Sequence, residues 1–114
     1  MGGNIERGDI YWVELDPIRG AEIAKTRPCV VLSASEINLH RKTVIALPLT
    51  TTSAAAAPPL LVAVPSAGAI SKARIEHIRA VDKTRLQRRI GRLSSSDLQS
   101  VEAALRQVLR LPKD

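Results

Sequence analysis

At 114 residues and 45% apolar composition, the chain has material for one domain with one modest core, so a second domain is not expected. Lys and Arg number 17 against 11 acidic residues, and the net charge of +6 favours a polyanionic partner: nucleic acid, an acidic protein or a membrane surface. The lone Cys29 excludes an internal disulfide, and with only two distant histidines there is no zinc or haem spacing, so chemistry is expected without a metal or other cofactor.

In chain order, MGGNIE puts Glu6 where a myristoylation signal needs Ser or Thr, and no signal-peptide run follows; a cytoplasmic protein is expected. GDIYWVEL, from Gly8 to Leu15, alternates as a strand with Ile10, Trp12 and Glu14 on one side and Asp9, Tyr11, Val13 and Leu15 on the other. Asp16 and Pro17 end it, and a loop with a turn at Gly20 leads to Thr26. After Pro28, Cys29 to Leu32 reads as a buried strand in which the cysteine serves as a small hydrophobe. SASEIN is expected to hold a short helical turn capped by Ser35. Thr43 to Leu49 is a third strand and Leu60 to Val64 a fourth, joined by an alanine and proline loop, Ala54 to Pro59, expected to be mobile.

Residues 43–71 carry no charge, a span long enough for a bilayer, yet Pro48, Pro58, Pro59 and Pro65 forbid a continuous helix there. No membrane partner is expected. In SKARIEHIRAVD, Ser71 to Asp82, strict alternation sends Ile75 and Ile78 to opposite sides, and a bulge near Glu76 or His77 would return both to the core. A basic turn, KTRLQRR, precedes a short IGRL strand from Ile90, and Ser94 with Asp97 has the spacing of a helix start. Leu98, Val101, Ala104, Leu105, Val108 and Leu109 then form a helical apolar stripe. Five or six short strands and one terminal helix predict a mainly β fold, a small and strongly bent barrel.

Three groups of polar residues stand where chemistry is possible. Arg27 directly precedes Pro28, which holds it extended; its planar guanidinium suits phosphate oxygens, and Lys25 adds charge nearby. A surface ion pair with Glu22 or Asp16 explains the same residues without function. Thr50, at the end of the third strand, can donate to a phosphate oxygen, although threonine is also an ordinary strand-end residue. Arg74 and Glu76, two apart on a strand, would share a face beside His77, and either proton transfer or a cross-strand salt bridge accounts for them. Tyr11 and Trp12 are the only aromatic residues, few for a protein that stacks single-stranded bases, and Trp12 reads as core or dimer surface.

Taken together, RGDIYWVELDPIRGAE from Arg7, KTRPCVVLS from Lys25, IALPLTT from Ile45 and IEHIRAVDKTRL from Ile75 resemble the MazF and PemK toxins, the messenger-RNA interferases of bacterial toxin–antitoxin modules. The resemblance implies an SH3-like barrel of the kind shared with CcdB, a homodimer, and an RNA groove across it. It implies metal-independent cleavage of single-stranded RNA to 2′,3′-cyclic phosphate and 5′-hydroxyl ends, and neutralisation by an acidic, MazE-like antitoxin. Carried over residue by residue, it makes Arg27, Thr50 and Glu22 catalytic. It assigns RNA contacts to Arg19, Lys25, Thr26, Thr51, Arg74, Glu76, His77 and Arg79. Several relatives have glutamine at the position of His77, which leaves the proton acceptor open among Glu22, Glu76 and His77. The alternative is a non-catalytic binding module of the same barrel, such as a CcdB-like gyrase poison; a general RNA-binding domain is disfavoured by the scarcity of aromatics.

Overall fold

The computed structural model describes residues 4–15 and 25–112. Its elements are β1 (Asp9–Glu14), β2 (Thr26–Val31), α1 (Ser35–His40), β3 (Thr43–Thr51), β4 (Leu61–Ala63), β5 (Ser71–Arg74), β6 (Arg79–Asp82), β7 (Leu86–Arg92) and α2 (Ser95–Leu109). Single 3₁₀ turns stand at Pro65–Ala67, Ile75–His77 and Lys83–Arg85. The strands form one antiparallel sheet in the order β4-β5-β3-β2-β1-β7, with β6 also paired to β3. It is a mainly β fold with a helix at the carboxyl end.

Two apolar clusters fill the two sides of this sheet. Ile10, Val30, Leu47, Leu49, Ile75 and their neighbours pack beneath Val101 and Ala104 of α2, whose stripe the sequence predicts. Val13, Leu15, Cys29, Val31, Val44, Ala46 and Val81 form the other, with Tyr11 and Leu86 against it. The alternation of β1 therefore divides its side chains between two cores. Ser94 caps α2 by accepting from the Asp97 N–H at 3.1 Å. The Asp97 carboxylate accepts from the Ser66 N–H at 2.8 Å, and the Ser66 hydroxyl from the Ser94 N–H at 3.0 Å. The helix start is thus knotted to the turn between β4 and β5.

Several local expectations change. β2 begins at Thr26 and takes Pro28 into the strand. Ser35 is not the cap of α1; Ala34 occupies that position, and the short helix is held instead by buried Asn38, whose amide donates to the carbonyls of Ile5 and Ser33, both at 3.1 Å. In place of a bulge, the 3₁₀ turn Ile75–His77 separates β5 from β6, and it achieves the predicted result: Ile75 is fully buried and Ile78 packs on the same core. The basic segment after Arg85 is strand, because β7 runs from Leu86 as an edge strand paired only with β1. Its charges are partly spent there: buried Asp9 pairs with Arg89 at 3.2 Å and Arg92 at 3.0 Å.

The prolines at 28 and 48 explain how the sheet opens. Backbone polar groups alternate between the two edges of a strand. The Leu15 N–H donates to the Lys25 carbonyl at 2.9 Å and the Gly8 N–H to the Val31 carbonyl at 2.7 Å, so odd residues of β2 face β1. The Leu32 N–H donates to the Ile45 carbonyl at 2.8 Å, so even residues of β2 face β3. Pro28 is even, and its missing N–H falls where the β2–β3 ladder would continue to Leu49; that pairing stops at Cys29 opposite Pro48. By the same parity Pro48 turns its missing donor to the other edge of β3. There β3 changes partner: its pairing with β6 ends at Ala46 opposite Arg79, and its pairing with β5 begins at Leu49 opposite Ala73.

Candidate active site

A hollow opens at each of these interruptions. The first, of about 440 Å³, lies where β3 changes partner and is lined by Leu15, Lys25, Arg27, Pro48, Arg74, His77 and Arg79. The second, of about 350 Å³, lies where β2 parts from β3 and is lined by Trp12, Lys25, Thr26, Arg27, Pro28, Leu49, Thr50 and Thr51. Lys25 and Arg27 belong to both, so the first residues of β2 form a ridge between them.

Arg27 stands on that ridge for local reasons. Pro28 bars it from helical backbone, and pairing opposite Val13 of β1 fixes its strand. The floor beneath is rigid: Cys29 is 1% exposed and Val30 fully buried. Burial pushes the Cys29 thiol up to about 12, against the opposing pull of the Arg79 and Arg27 guanidinium groups, so the sulfur stays a neutral packing group and not a nucleophile. Thr50 faces the ridge from β3, 9% exposed, with its strand continuing past Leu49 to Thr51.

Most of the residues singled out in the sequence converge here. Arg27, Thr50, Lys25, Thr26 and Thr51 gather about the second hollow, and Arg74, His77 and Arg79 join Arg27 at the first. Glu76 is exposed and lines neither; the 3₁₀ turn, not an extended strand, carries it, so it does not share a strand face with Arg74 as alternation suggested. Glu22 and Arg19, together with Asp16, Pro17 and Gly20, lie outside the described residues. Sequence reasoning missed Trp12 as a lining residue; only the β1–β2 register, which sets it opposite Pro28, brings it to the second hollow. Among the described residues, the lining of the first hollow includes four basic side chains and no carboxylate. Such a surface suits phosphate oxygens, which a guanidinium can grip with two parallel bonds. Among the described residues no group of His, Cys, Asp and Glu is arranged to hold a metal ion.

Residues 6–109 match the family model described as PemK-like, MazF-like toxin of type II toxin–antitoxin system. This chain belongs to that family. It is 36% identical over 110 residues to endoribonuclease MazF9 of Mycobacterium tuberculosis, covering 90% of this chain and 93% of that one. Endoribonuclease MazF6 of the same species is 36% identical over 112 residues, covering 94% and 98%. Among solved structures, an endoribonuclease from a mycobacterial species superposes with a TM-score of 0.79 at 25% identity, covering 98% of this chain and 97% of that one. The MazE–MazF complex of Deinococcus radiodurans (Form-II) has the same fold, with a TM-score of 0.80 at 24% identity and coverage of 97% and 100%. The MazF-type fold is thus the one that the two proline interruptions open.

Proposed function

We propose that this toxin is an endoribonuclease that cuts single-stranded RNA, messenger RNA above all, with Arg27 at the scissile phosphate. The observation that carries the reading is the position of Arg27 on the ridge between both hollows, with Thr50 facing it. Family membership and two curated relatives named endoribonuclease support the activity.

In the reaction a ribose 2′-hydroxyl gives its proton to a base, its oxygen bonds to the adjacent phosphorus, the bond to the 5′-oxygen breaks and that oxygen takes up a proton from solvent, leaving a 2′,3′-cyclic phosphate and a 5′-hydroxyl. Arg27, a permanent cation, stabilises the charge that builds on the phosphorane oxygens, and the Thr50 hydroxyl orients the phosphate. Glu22 is the first-choice proton acceptor, on the family resemblance. His77 is the second, supported by its place in the hollow with Arg27, and Glu76, outside both hollows, falls behind it. Lys25, Arg74 and Arg79 hold flanking phosphates, Thr26 and Thr51 contact the strand nearest Thr50, and Arg19 extends the path. The working unit is a cytoplasmic homodimer, kept inactive by an acidic cognate antitoxin whose charge complements the same basic surface.

The test is incubation of the purified protein in EDTA with a long single-stranded RNA, beside Arg27→Ala, with the product ends mapped. Discrete cuts ending in cyclic phosphate, absent with a still dimeric variant, are expected. No cutting by either protein would overturn the nuclease and return the chain to the binding-module reading.

A further inference from the structure

Lys72 is 9% exposed on β5, directly opposite Thr50 of β3. Its ammonium donates to the Thr52 carbonyl at 3.0 Å and the Ile70 carbonyl at 3.4 Å. Those carbonyls belong to the rung just beyond Thr50, where the Thr52 N–H reaches the Ile70 carbonyl at a long 3.4 Å. Among the described carboxylates none pairs with it. A buried cation without a counter-ion costs free energy that an apolar residue at the same strand position would not. Sites that break a local rule in this way are commonly functional.

We propose that Lys72 is a positioning residue for Thr50. Its ammonium bridges the two strands at the end of their ladder, one rung past the hydroxyl that lines the second hollow. Directly opposite residues of an antiparallel pair put their side chains on one face, so the lysine stem lies beside the threonine it serves. Without the clamp the terminal rung rests on one long hydrogen bond, and strand ends held that weakly open locally. A hydroxyl that must be held within about 0.5 Å of its productive position beside a phosphate oxygen does not tolerate such fraying. The inference rests on the nuclease reading, because Thr50 matters to the rate only if a phosphate reacts beside it.

The experiment is a double-mutant cycle on multiple-turnover cleavage of an end-labelled RNA oligonucleotide, with RNA in excess and long time courses so that slow variants are measurable. Lys72→Met keeps the apolar stem and removes the donors; it is expected to lower kcat about tenfold with KM changed less than about twofold, since small misplacements of a reacting group act on the chemical step. In a Thr50→Ala background the same change is expected to cost nothing further, as coupled residues are non-additive. Full kcat in Lys72→Met, or an equal loss in both backgrounds, would overturn the proposal. If Lys72→Met is unfolded by circular dichroism, the cycle is run with Lys72→Arg, whose planar fork misfits two carbonyls arranged for an ammonium; a kcat loss of about threefold that vanishes with Thr50→Ala is expected, and an unchanged or additive result overturns it. A wild type that cuts no RNA would fail the nuclease reading itself, whereas a wild type that cuts beside an additive cycle fails only the role of Lys72.

Discussion

The two hollows share Lys25 and Arg27 and differ in almost everything else. The first is a cationic bowl, where Arg74, Arg79 and His77 surround the turn after β5. The second is narrower in charge and richer in shape, with Trp12, Pro28 and Leu49 as apolar walls and Thr26, Thr50 and Thr51 as hydroxyl donors. Charge attracts any phosphate chain, whereas a ring beside hydroxyl groups discriminates what is attached to it. On the proposed reading the difference implies a division of labour: the first hollow would supply affinity that salt weakens, and the second fit at the bond to be cut.

That division can be broken first at the ridge itself. Arg27→Lys keeps the charge both hollows share but loses the planar fork; kcat is expected to fall at least about a hundredfold while RNA binding, measured by anisotropy, changes little. Next, Trp12→Ala is expected to weaken RNA binding by about 1–3 kcal/mol with the salt slope unchanged, whereas Arg74→Ala should flatten the slope of log K against log salt by about 0.7. Equal slopes in the two variants would erase the distinction between the hollows. The smallest effect concerns the shared floor. Because burial raises the Cys29 thiol above its ordinary range, the neutral form is favoured by folding; its stabilisation is intact below that range and lost as pH rises towards about 12. Wild type should therefore lose more stability than Cys29→Ala between neutral and strongly alkaline pH in urea titrations, with cleavage at pH 7 alike in both.

Much of this was legible in the sequence, and the remainder fails for identifiable reasons. β1 and α2 follow from alternation and from the Ser94–Asp97 spacing, because burial and a helix start leave period-specific marks. β7 was legible only from Ile90: an edge strand paired on one side only exposes Gln87, Arg88 and Arg89 before it, and such a run reads as a basic turn. Arg27 announced itself through Pro28, a local signal. Its neighbours in the hollows come from β1, β3 and the turn after β5, and only the register brings them together. Lys72 was invisible for the same reason, since its role depends on standing opposite Thr50.

Pro28 has one more consequence. A gap between neighbouring strands is ordinarily an invitation to a third, because its free edges offer donors and acceptors to any extended peptide. At the parting of β2 and β3, Pro28 turns no N–H towards the gap. A visiting strand there would still meet backbone groups of Thr26 and Leu49 but would miss one donor, so side chains, a guanidinium, a hydroxyl or an indole, carry more of the hold. The toxin thereby carries a parting in its sheet whose β2 edge is one donor short of a full ladder.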